Sequence, residues 1–421
     1  MAEYSEYKDS GIPWIGKIPS HWITRRAKFV FDRHKRPVRP NDEIVTCFRD
    51  GVVTLRKNRR ESGFTNALME FGYQGIRKGD LIVHQMDAFA GSIGVSDSDG
   101  KSTPVYTVCT MRNGDSITWY YAYLLRVMAK TDFIQSLSRG IRERSTAFGY
   151  DIMGNLLLPI PPKEEQEAIV SYLDKVTADI DKAIAAKERI IASLEERRKI
   201  IITHAVTRGI NPDVPMKDSG IDWLGEIPTH WEVIRIKYLL NEKKARSKTG
   251  TEEPLSMSQR KGLIPTKMMG VIPNLAASYV DAKLVSKGDL VFNKLKAHLG
   301  VFNVSEYDGL VSPDYAVYNT TGKADLKFLE YIFKTPNCIN EFKKLITGVG
   351  AGLSRLYTAD LYSIYCAIPP IDEQLAIRNH IVNQTKAISE AIDQCQSIID
   401  LLRERKNIII NETVTGKVKV I

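Results

Sequence analysis

The sequence predicts an α+β protein built from two related mixed domains, each followed by a long helix. Three observations carry this prediction. The stretch from Lys8 to Trp22 recurs from Lys217 to Trp231, 209 residues later, with eleven of fifteen positions identical. Short alternating segments between glycines and prolines indicate strands in each copy. A sustained apolar heptad pattern then closes each copy, as in a long helix that packs on another helix.

The duplication extends through the whole chain. The stretch Lys78–Ile82 recurs at Lys287–Val291, still 209 residues apart, and Ile160–Gln166 recurs at Ile368–Gln374, 208 residues apart. Between these shared blocks the copies diverge almost completely, from about 32 to 77 and from about 241 to 286. A constant framework therefore carries two unlike variable regions.

The repeat predicts four segments along the chain. They are 1–160 for the first mixed domain, 161–209 for the first long helix, 210–366 for the second mixed domain, and 367–421 for the second long helix and tail. Each mixed domain is long enough to bury a hydrophobic core of its own.

Composition and charge narrow the class of protein. The chain is 43% hydrophobic and 26% charged, which is ordinary for a globular protein. Its five cysteines are scattered and form no closely spaced pair, which argues against a disulfide framework or a structural zinc site. No apolar run approaches the roughly 18 residues of a membrane helix, and the first ten residues do not resemble a secretory signal, so we expect a cytoplasmic protein. The net charge of +9 favours a polyanionic partner.

The framework of each copy can be followed in order. Glycines and prolines in residues 1–22 predict an extended, anchored segment with buried tryptophans, in which His21 and its repeat His230 satisfy backbone groups. The alternation from Gly51 to Arg56 predicts a strand that runs into a basic loop. Amphipathic helices are expected near Trp119–Met128 and Leu326–Phe333.

Basic residues cluster at matching places in the two variable regions, although the sequences there are unrelated. A solvated charged face explains any one such run. Their recurrence in both copies instead favours contacts with nucleic-acid grooves and phosphates. The candidate DNA-binding residues are Arg33, Lys35, Arg36, Arg56, Lys57, Arg59 and Arg60 in the first copy, and Lys243, Lys244, Arg246, Lys248, Arg260, Lys261, Lys294 and Lys296 in the second.

The two long helices each begin after a double proline with acidic residues in the first turn. Their apolar positions step by four and three, with Lys187, Arg197, Gln384 and Arg405 as interruptions. Two such helices in one molecule are expected to pack on each other, either parallel or antiparallel. The predicted interface residues are Ile169, Leu173, Val176, Ile180, Ile190, Leu194 and Ile201 in the first helix, and Ile377, Ile381, Ile388, Ile398, Leu402 and Ile409 in the second.

The sequence contains no convincing catalytic or metal-binding set. Asp314, Asp325 and Lys327 fit the loose spacing of a metal-dependent nuclease. The first copy has Val105, Ile117 and Trp119 in their place, so the shared scaffold does not need these groups, and Asp325 lies where a helix N-terminal carboxylate belongs. We therefore expect no catalytic residue and no metal ligand in this chain.

The repeated start block, the Lys-Gly-Asp-Leu turn and the Ile-Pro-Pro-x-Glu/Asp-Glu-Gln opening of each long helix together resemble the specificity subunit of type I restriction-modification systems. The resemblance covers nearly the whole chain. It implies that the mixed domains are target recognition domains, each reading one half of an asymmetric, bipartite double-stranded DNA sequence. It also implies that the two helices form an antiparallel coiled coil that sets the distance between the half-sites.

The resemblance further implies a non-catalytic, DNA-binding role inside a larger restriction system. The expected partners are two methyltransferase subunits and the restriction subunits, which dock on the conserved blocks and helices. S-adenosylmethionine, ATP and Mg²⁺ would be held by those partners, so no cofactor is expected in this chain. The alternative is a coiled-coil scaffold or adaptor without DNA specificity, and a nuclease is a third reading.

Overall fold

The computed structural model describes residues 3–59, 70–114, 116–137, 147–258, 262–269, 278–346 and 355–420. Contacts divide the chain into two compact units. The first unit comprises Met1–Lys187 with Gln396–Ile421, and the second comprises Glu188–Cys395. Each unit therefore contains one mixed domain together with part of each long helix. The predicted four-segment division stays a prediction, and its boundary at 366/367 falls inside the strand Tyr365–Ile368.

The described part of the first unit is a mixed domain of short antiparallel strands and three helices besides the long helices. Its strands are β1 (Tyr7–Ile12), β2 (Gly16–Pro19), β3 (Ile23–Arg26), β4 (Phe31–His34), β5 (Val45–Cys47), β6 (Val53–Leu55), β7 (Gln74–Ile76), β8 (Leu81–His84), β9 (Ile93–Val95), β10 (Gly100–Ser102), β11 (Tyr106–Met111) and β12 (Leu157–Ile160). Its helices are α1 (Thr118–Lys130), α2 (Phe133–Leu137) and α3 (Tyr150–Met153), and the long helix α4 (Lys163–Arg208) begins here.

A four-stranded sheet in the order β4-β11-β8-β9 forms the centre of this unit. The pairs β1–β2, β3–β12, β5–β6 and β7–β10 surround it. Fully buried aromatic residues fill the core, where Phe31 on β4 meets Tyr121 on α1 edge to face at 5.3 Å between ring centroids. Such pairs add to the hydrophobic stabilisation that burial alone provides.

The second unit has the same order of elements. Its strands are β13 (Met216–Asp218), β14 (Glu226–Pro228), β15 (Glu232–Arg235), β16 (Leu240–Glu242), β17 (Leu255–Ser258), β18 (Gly262–Pro265), β19 (Lys283–Val285), β20 (Leu290–Asn293), β21 (Phe302–Val304), β22 (Gly309–Val311), β23 (Tyr315–Thr320) and β24 (Tyr365–Ile368). Its helices are α5 (Leu326–Phe333), α6 (Pro336–Leu345) and α7 (Thr358–Ser363), and the long helix α8 (Ile371–Val414) begins here.

The central sheet of the second unit, β16-β23-β20-β21, repeats the strand order of the first. Its core is richer in phenylalanine, because Phe292, Phe302, Phe333 and Phe342 contact one another around a stacked pair with 4.5 Å between the centroids of Phe292 and Phe302. The predicted helices and the strand at Gly51–Arg56 are confirmed by α1, α5 and β6. The start of each copy is a β-hairpin, which refines the extended segment expected from its glycines and prolines.

The repeated blocks contact each other in the same way within each unit. Glu165 in the first turn of α4 accepts hydrogen bonds from Trp22 Nε1 and His21 Nε2, both at 2.9 Å. Glu373 in the first turn of α8 bonds to Trp231 Nε1 at 3.1 Å and His230 Nε2 at 2.7 Å. The two histidines therefore contact a carboxylate, whereas the sequence suggested backbone partners.

The glutamine that follows each of these glutamates anchors a second element. Gln166 Oε1 accepts the backbone N–H of Ile117 at the start of α1, at 2.9 Å, and Gln374 Oε1 accepts that of Asp325 at the start of α5, at 2.8 Å. These N–H groups have no partner inside a helix, so the contact satisfies them. The helix-start block thus ties the hairpin and one helix of its own unit to the long helix.

The buried positions in the early part of α4 and in the middle of α8 follow a heptad spacing. Inward positions include Leu173, Thr177, Ile180 and Ile184 in α4, and Ile388, Ile392, Cys395 and Ile399 in α8. Continuing this spacing from Ile184 reaches Ile191, and Ile190 is 44% exposed. Ile398 is likewise 39% exposed beside the buried Ile399. Ile190 and Ile398 are therefore the exposed members of two pairs of adjacent isoleucines, which the sequence alone did not distinguish. Their place in the interface stays a prediction.

Most of the remaining predicted interface residues lie inward. Ile169, Leu173, Ile180, Ile377, Ile381, Ile388 and Ile409 are buried, while Val176, Leu194, Ile201 and Leu402 are partly buried. In the first unit, Asp181 of α4 forms an ion pair with Lys406 of α8 at 2.7 Å. In the second unit, Ala205 and Val206 of α4 share a core with Ile377 and Ile381 of α8. Among the described residues, no helix is both long and apolar enough to cross a membrane.

Candidate nucleic-acid interface

The first candidate residues lie on and just after β4, an edge strand of the central sheet. Arg33 and Lys35 are exposed. The guanidinium of Arg33 lies over the ring of Tyr150, with 5.5 Å from Cζ to the ring centroid. An arginine held on an aromatic face in this way keeps its donors open to water or to a ligand.

Arg36 and Lys243 make the same kind of contact in the two units. Arg36 forms an ion pair with Asp80, and Lys243 forms one with Asp289 at 2.6 Å. Both aspartates belong to the repeated Lys-Gly-Asp-Leu turn and are buried. Each also accepts a backbone N–H three residues earlier, at 2.7 Å. These two cations therefore have a structural contact that accounts for their presence without DNA.

The basic loop after β6 contains three described candidates. Arg59 pairs with Asp50 at 2.8 Å and lies 4.8 Å from the ring centroid of Phe48. Lys57 pairs with Glu43 at 2.5 Å, and Arg56 Nε lies 3.4 Å from Thr46 Oγ1. Burial alone would raise the pKa of Asp50, but hydrogen bonds from Arg59 and the Val52 N–H, with the charges of Arg59 and Arg126, lower it. Arg60 lies outside the described residues.

The corresponding surface of the second unit is built from the segment between β16 and β17. Lys244, Arg246 and Lys248 are all exposed. Arg246 donates to the backbone oxygen of Asp281 at 2.9 Å and to its carboxylate at 2.8 Å. Arg260 and Lys261 lie outside the described residues. This segment therefore offers exposed cations, of which one is held by a neighbouring acid.

Lys294 and Lys296 lie in the turn after β20. Lys296 is exposed, whereas Lys294 is partly buried. Burial, together with the charge of Lys283, lowers the pKa of Lys294. Lys283 is itself buried and pairs with Glu242 at 3.1 Å. Sequence reasoning missed Lys283 because it lies in a short strand whose other residues are apolar.

The suspected nuclease residues have structural partners. Asp325 caps the N-terminus of α5 by accepting the Phe328 N–H at 2.8 Å, and it pairs with Arg378 at 2.9 Å. Asp314 pairs with Arg355 at 3.2 Å, and Lys327 with Glu330 at 2.9 Å. Among the described residues, no group of three or more histidines, cysteines or carboxylates is arranged to hold a metal ion. The capping role expected for Asp325 is confirmed.

Two further cations were missed by sequence reasoning and lie beside the loop between β5 and β6. Arg126 and Lys130 project from α1, a helix whose other residues are largely buried and aromatic or aliphatic. The Nε atom of Arg126 is buried without a hydrogen-bond partner among the described residues. The sequence signal that could have found Arg126 is an arginine among apolar residues of a helix. A buried charge is stable only beside an acid or an external anion.

No family model matches the chain. It is 24% identical to the putative type I restriction enzyme MjaX specificity subunit of Methanocaldococcus jannaschii, covering 96% of both proteins. It is 20% identical to the type I restriction enzyme EcoKI specificity subunit of Escherichia coli K12, covering 90% of this chain and 85% of that protein.

A solved structure of a type I restriction-modification system contains a chain of similar fold. The similarity covers 95% of this chain and 99% of that one, with a TM-score of 0.64 and 14% sequence identity. Sequence similarity and fold thus point to the same group of proteins.

Proposed function

The chain belongs with the specificity subunits of type I restriction systems, and from this premise we propose that it reads an asymmetric, bipartite DNA sequence for such a complex. The observation that carries the proposal is the pairing of a repeated framework with unlike variable surfaces. The two units share one strand order and the same Glu165 and Glu373 contacts, yet their exposed cations come from unrelated sequences. Two different recognition surfaces on one repeated framework suit a DNA target made of two different half-sites.

We propose that base readout and phosphate contacts are divided among the exposed cations and the partly buried Arg56. Arg33, Lys35, Arg56, Lys57 and Arg59 would act in the first half, and Lys244, Arg246, Lys248 and Lys296 in the second. Arginine suits bidentate contacts with guanine in the major groove, whereas lysine suits phosphates. Arg60, Arg260 and Lys261 remain candidates from the sequence.

The long helices act, in this proposal, as an antiparallel coiled coil that sets the distance between the half-sites. Support comes from each unit separately, because the early part of α4 contacts the late part of α8 in the first unit, and the late part of α4 contacts the early part of α8 in the second. With 46 residues, α4 spans about 69 Å at ~1.5 Å per residue. Half-sites on one face of a duplex are about 34 Å apart.

We further propose that the chain carries no catalytic group. Two methyltransferase subunits and the restriction subunits would dock on it, and they would hold S-adenosylmethionine, ATP and Mg²⁺. The rival proposal, a scaffold without DNA specificity, has no comparable support from the proteins that the chain resembles.

Selection of duplexes from a randomised library by the assembled complex tests the function. We expect enrichment of two unlike short motifs at a fixed separation. An enriched pool without any shared motif, obtained with a properly assembled complex, would favour the scaffold.

A further inference from the structure

The first unit contains an open cleft of about 620 Å³ whose walls are strongly basic. It lies between α1, the early part of α4, the late part of α8 and the loop between β5 and β6. Five cations line it against two acids. The cations are Arg49, Arg126, Lys130, Arg403 and Lys406, and the acids are Asp50 and Asp181.

Most charges in this cleft are paired, but Arg126 and Lys130 form no salt bridge with an acid among the described residues. Asp181 forms an ion pair with Lys406, and Asp50 forms one with Arg59. Lys130 at the rim donates to the neutral amide of Asn407 at 2.6 Å. Arg126 Nε has no hydrogen-bond partner among the described residues. Burial lowers the pKa of Arg126, and burial with the charges of Arg126 and Lys406 lowers that of Lys130.

The guanidinium of Arg126 is held in place by the backbone above it. Gly51, at the tip of the β5–β6 loop, has φ +88°, and a Cβ there would lie 2.5 Å from Cζ of Arg126. A glycine at this point therefore lets the loop lie directly on the guanidinium. The same loop contains Arg49 and Asp50 and leads through β6 into the basic turn at Arg56–Asn58.

The second unit shows how such a cation is neutralised internally. Lys334 corresponds to Arg126 at the offset of 208 residues, and Glu330 corresponds to Ala122. Glu330 is buried and forms an ion pair with Lys334. The first unit has alanine in place of this acid, so the positive charge of Arg126 lacks the partner that its counterpart has. A half-buried cation without a carboxylate is costly unless an anion from outside approaches it.

We propose that this cleft binds a phosphate group of the DNA backbone next to the first variable region, an inference that rests on the proposed function. Continuity with the basic loop favours DNA over an acidic side chain of a partner subunit. The contact is independent of base sequence, so it contributes affinity and position but no discrimination between targets.

The test compares charge-removing variants in the assembled complex with its methyltransferase. Lys130→Gln and Arg126→Gln remove cleft cations, and Ala122→Glu restores the acid of the second unit without removing a cation. Lys182→Gln is the matched control, because Lys182 is an exposed lysine of α4, with 80% of its side chain accessible. Binding is measured by fluorescence anisotropy on a target duplex and an unrelated duplex over a series of salt concentrations.

We expect each cleft variant to lower the affinity for both duplexes roughly ten- to a hundredfold, as for the loss of a hydrogen bond to a charged group. The slope of log affinity against log salt should fall by about 0.9, the value for one phosphate contact. The methylated sequence should stay the same, and the control should behave as the wild type. Because Lys130 lies at the rim, its variant keeps the test valid if Arg126→Gln fails to fold.

Three outcomes separate the alternatives. Affinities and salt slopes like those of the control, in variants that still methylate the wild-type target, would overturn the phosphate site and leave the proposed function standing. Weaker assembly with the methyltransferase at unchanged DNA affinity would also overturn it, because the cleft would then hold an acidic group of the partner. A wild-type complex without any specific target would reject the proposed function itself.

Discussion

Glu165 accepts a 2.9 Å hydrogen bond from the indole of Trp22, and this bond joins the repeated hairpin of the first unit to the long helix α4. Trp22 is fully buried, and Glu165 is 4% exposed. Tyr4 and His21 converge on the same carboxylate. The contact explains why the start block and the helix-start block occur together in both copies, because neither satisfies its buried polar groups without the other.

Removing the Glu165 carboxylate should destabilise the first unit. We expect Glu165→Ala to cost about 1–3 kcal/mol, since the Trp22 N–H is left buried without an acceptor. The equivalent Glu373→Ala should cost less, because the Glu373 side chain is 27% exposed and water can replace it. Thermal unfolding of the two variants, with the exposed neighbour Glu164→Ala as control, measures the difference. An unchanged melting temperature for Glu165→Ala would contradict this role.

The heptad assignment predicts unequal effects at adjacent isoleucines. Ile399→Ala should lower the free energy of unfolding by about 2–5 kcal/mol, because Ile399 is 1% exposed and its loss leaves a cavity. Ile398→Ala, one residue away and 39% exposed, should cost under about 1 kcal/mol. Denaturant unfolding followed by helix circular dichroism compares the two. Equal losses would show that the interface register is wrong.

His84 should make the stability of the first unit pH-dependent. Burial lowers the pKa of His84 below its usual 6.5, although Asp87 opposes the shift. Its Nδ1 accepts the Asp87 N–H at 3.1 Å, which requires an unprotonated atom. The unfolded state therefore binds the proton more readily, so this stability is present above about pH 6.5 and is lost as the pH falls through the lower folded pKa.

The test for His84 compares how the melting temperature of the wild type and that of the His84→Asn variant change with pH. His84→Asn keeps an acceptor but does not titrate, so its melting temperature should fall less than that of the wild type on acidification. Other titrating groups cancel in this comparison. If the two melting temperatures changed equally with pH, His84 would not contribute to the pH dependence of stability.

Arg59 should affect DNA recognition in one of two distinguishable ways. If Arg59→Ala removes a base contact, discrimination at one position of one half-site should fall by about 1–3 kcal/mol. If it removes a phosphate contact, affinity should fall for all sequences and the salt slope should flatten. Binding to a panel of single-base target variants measures both. No change in affinity, target or salt slope would remove Arg59 from the interface.

The ruler proposal predicts a change in spacer length. Inserting seven residues after Lys187 in α4 and seven after Cys395 in α8 adds one heptad to each helix where the two units divide. Each helix gains about 10 Å, so the half-sites should separate by about three base pairs. Insertion into α4 alone should leave the two helices unequal in length, so that their interface positions no longer face each other, and it should abolish binding. A target with its original spacer in the doubly extended protein would reject the ruler.

Much of the architecture was predictable because it depends on local signals. The Lys8–Trp22 repeat predicted two copies, and the double prolines with acidic first turns predicted where α4 and α8 begin. The choice between Ile398 and Ile399 was not predictable, because both are apolar and only packing selects one. The same holds for Arg36 and Asp80, which are 44 residues apart and meet only in the folded unit. Contacts between distant segments leave no periodic trace in the sequence.

The candidate interface is a prediction from the charge runs of the sequence, and the structure adds the contacts that its residues make. Clusters such as Arg56–Arg59 were visible as charge runs. Arg126 was not visible in this way. Its proposed role depends on Ala122, where the second unit has Glu330, and on the loop at Gly51 that lies over its guanidinium. An ion pair with an acid of the same unit, as between Lys334 and Glu330, distinguishes a structural cation from one that a ligand could contact.

Methylome sequencing of cells that express the companion methyltransferase, with and without this chain, tests the central claim most directly. The account predicts a new methylated motif made of two unlike short halves around a fixed nonspecific gap, present only when the chain is expressed. Absence of any new motif, although the complex assembles and the methyltransferase is active with another specificity subunit, would contradict the claim that this chain reads DNA.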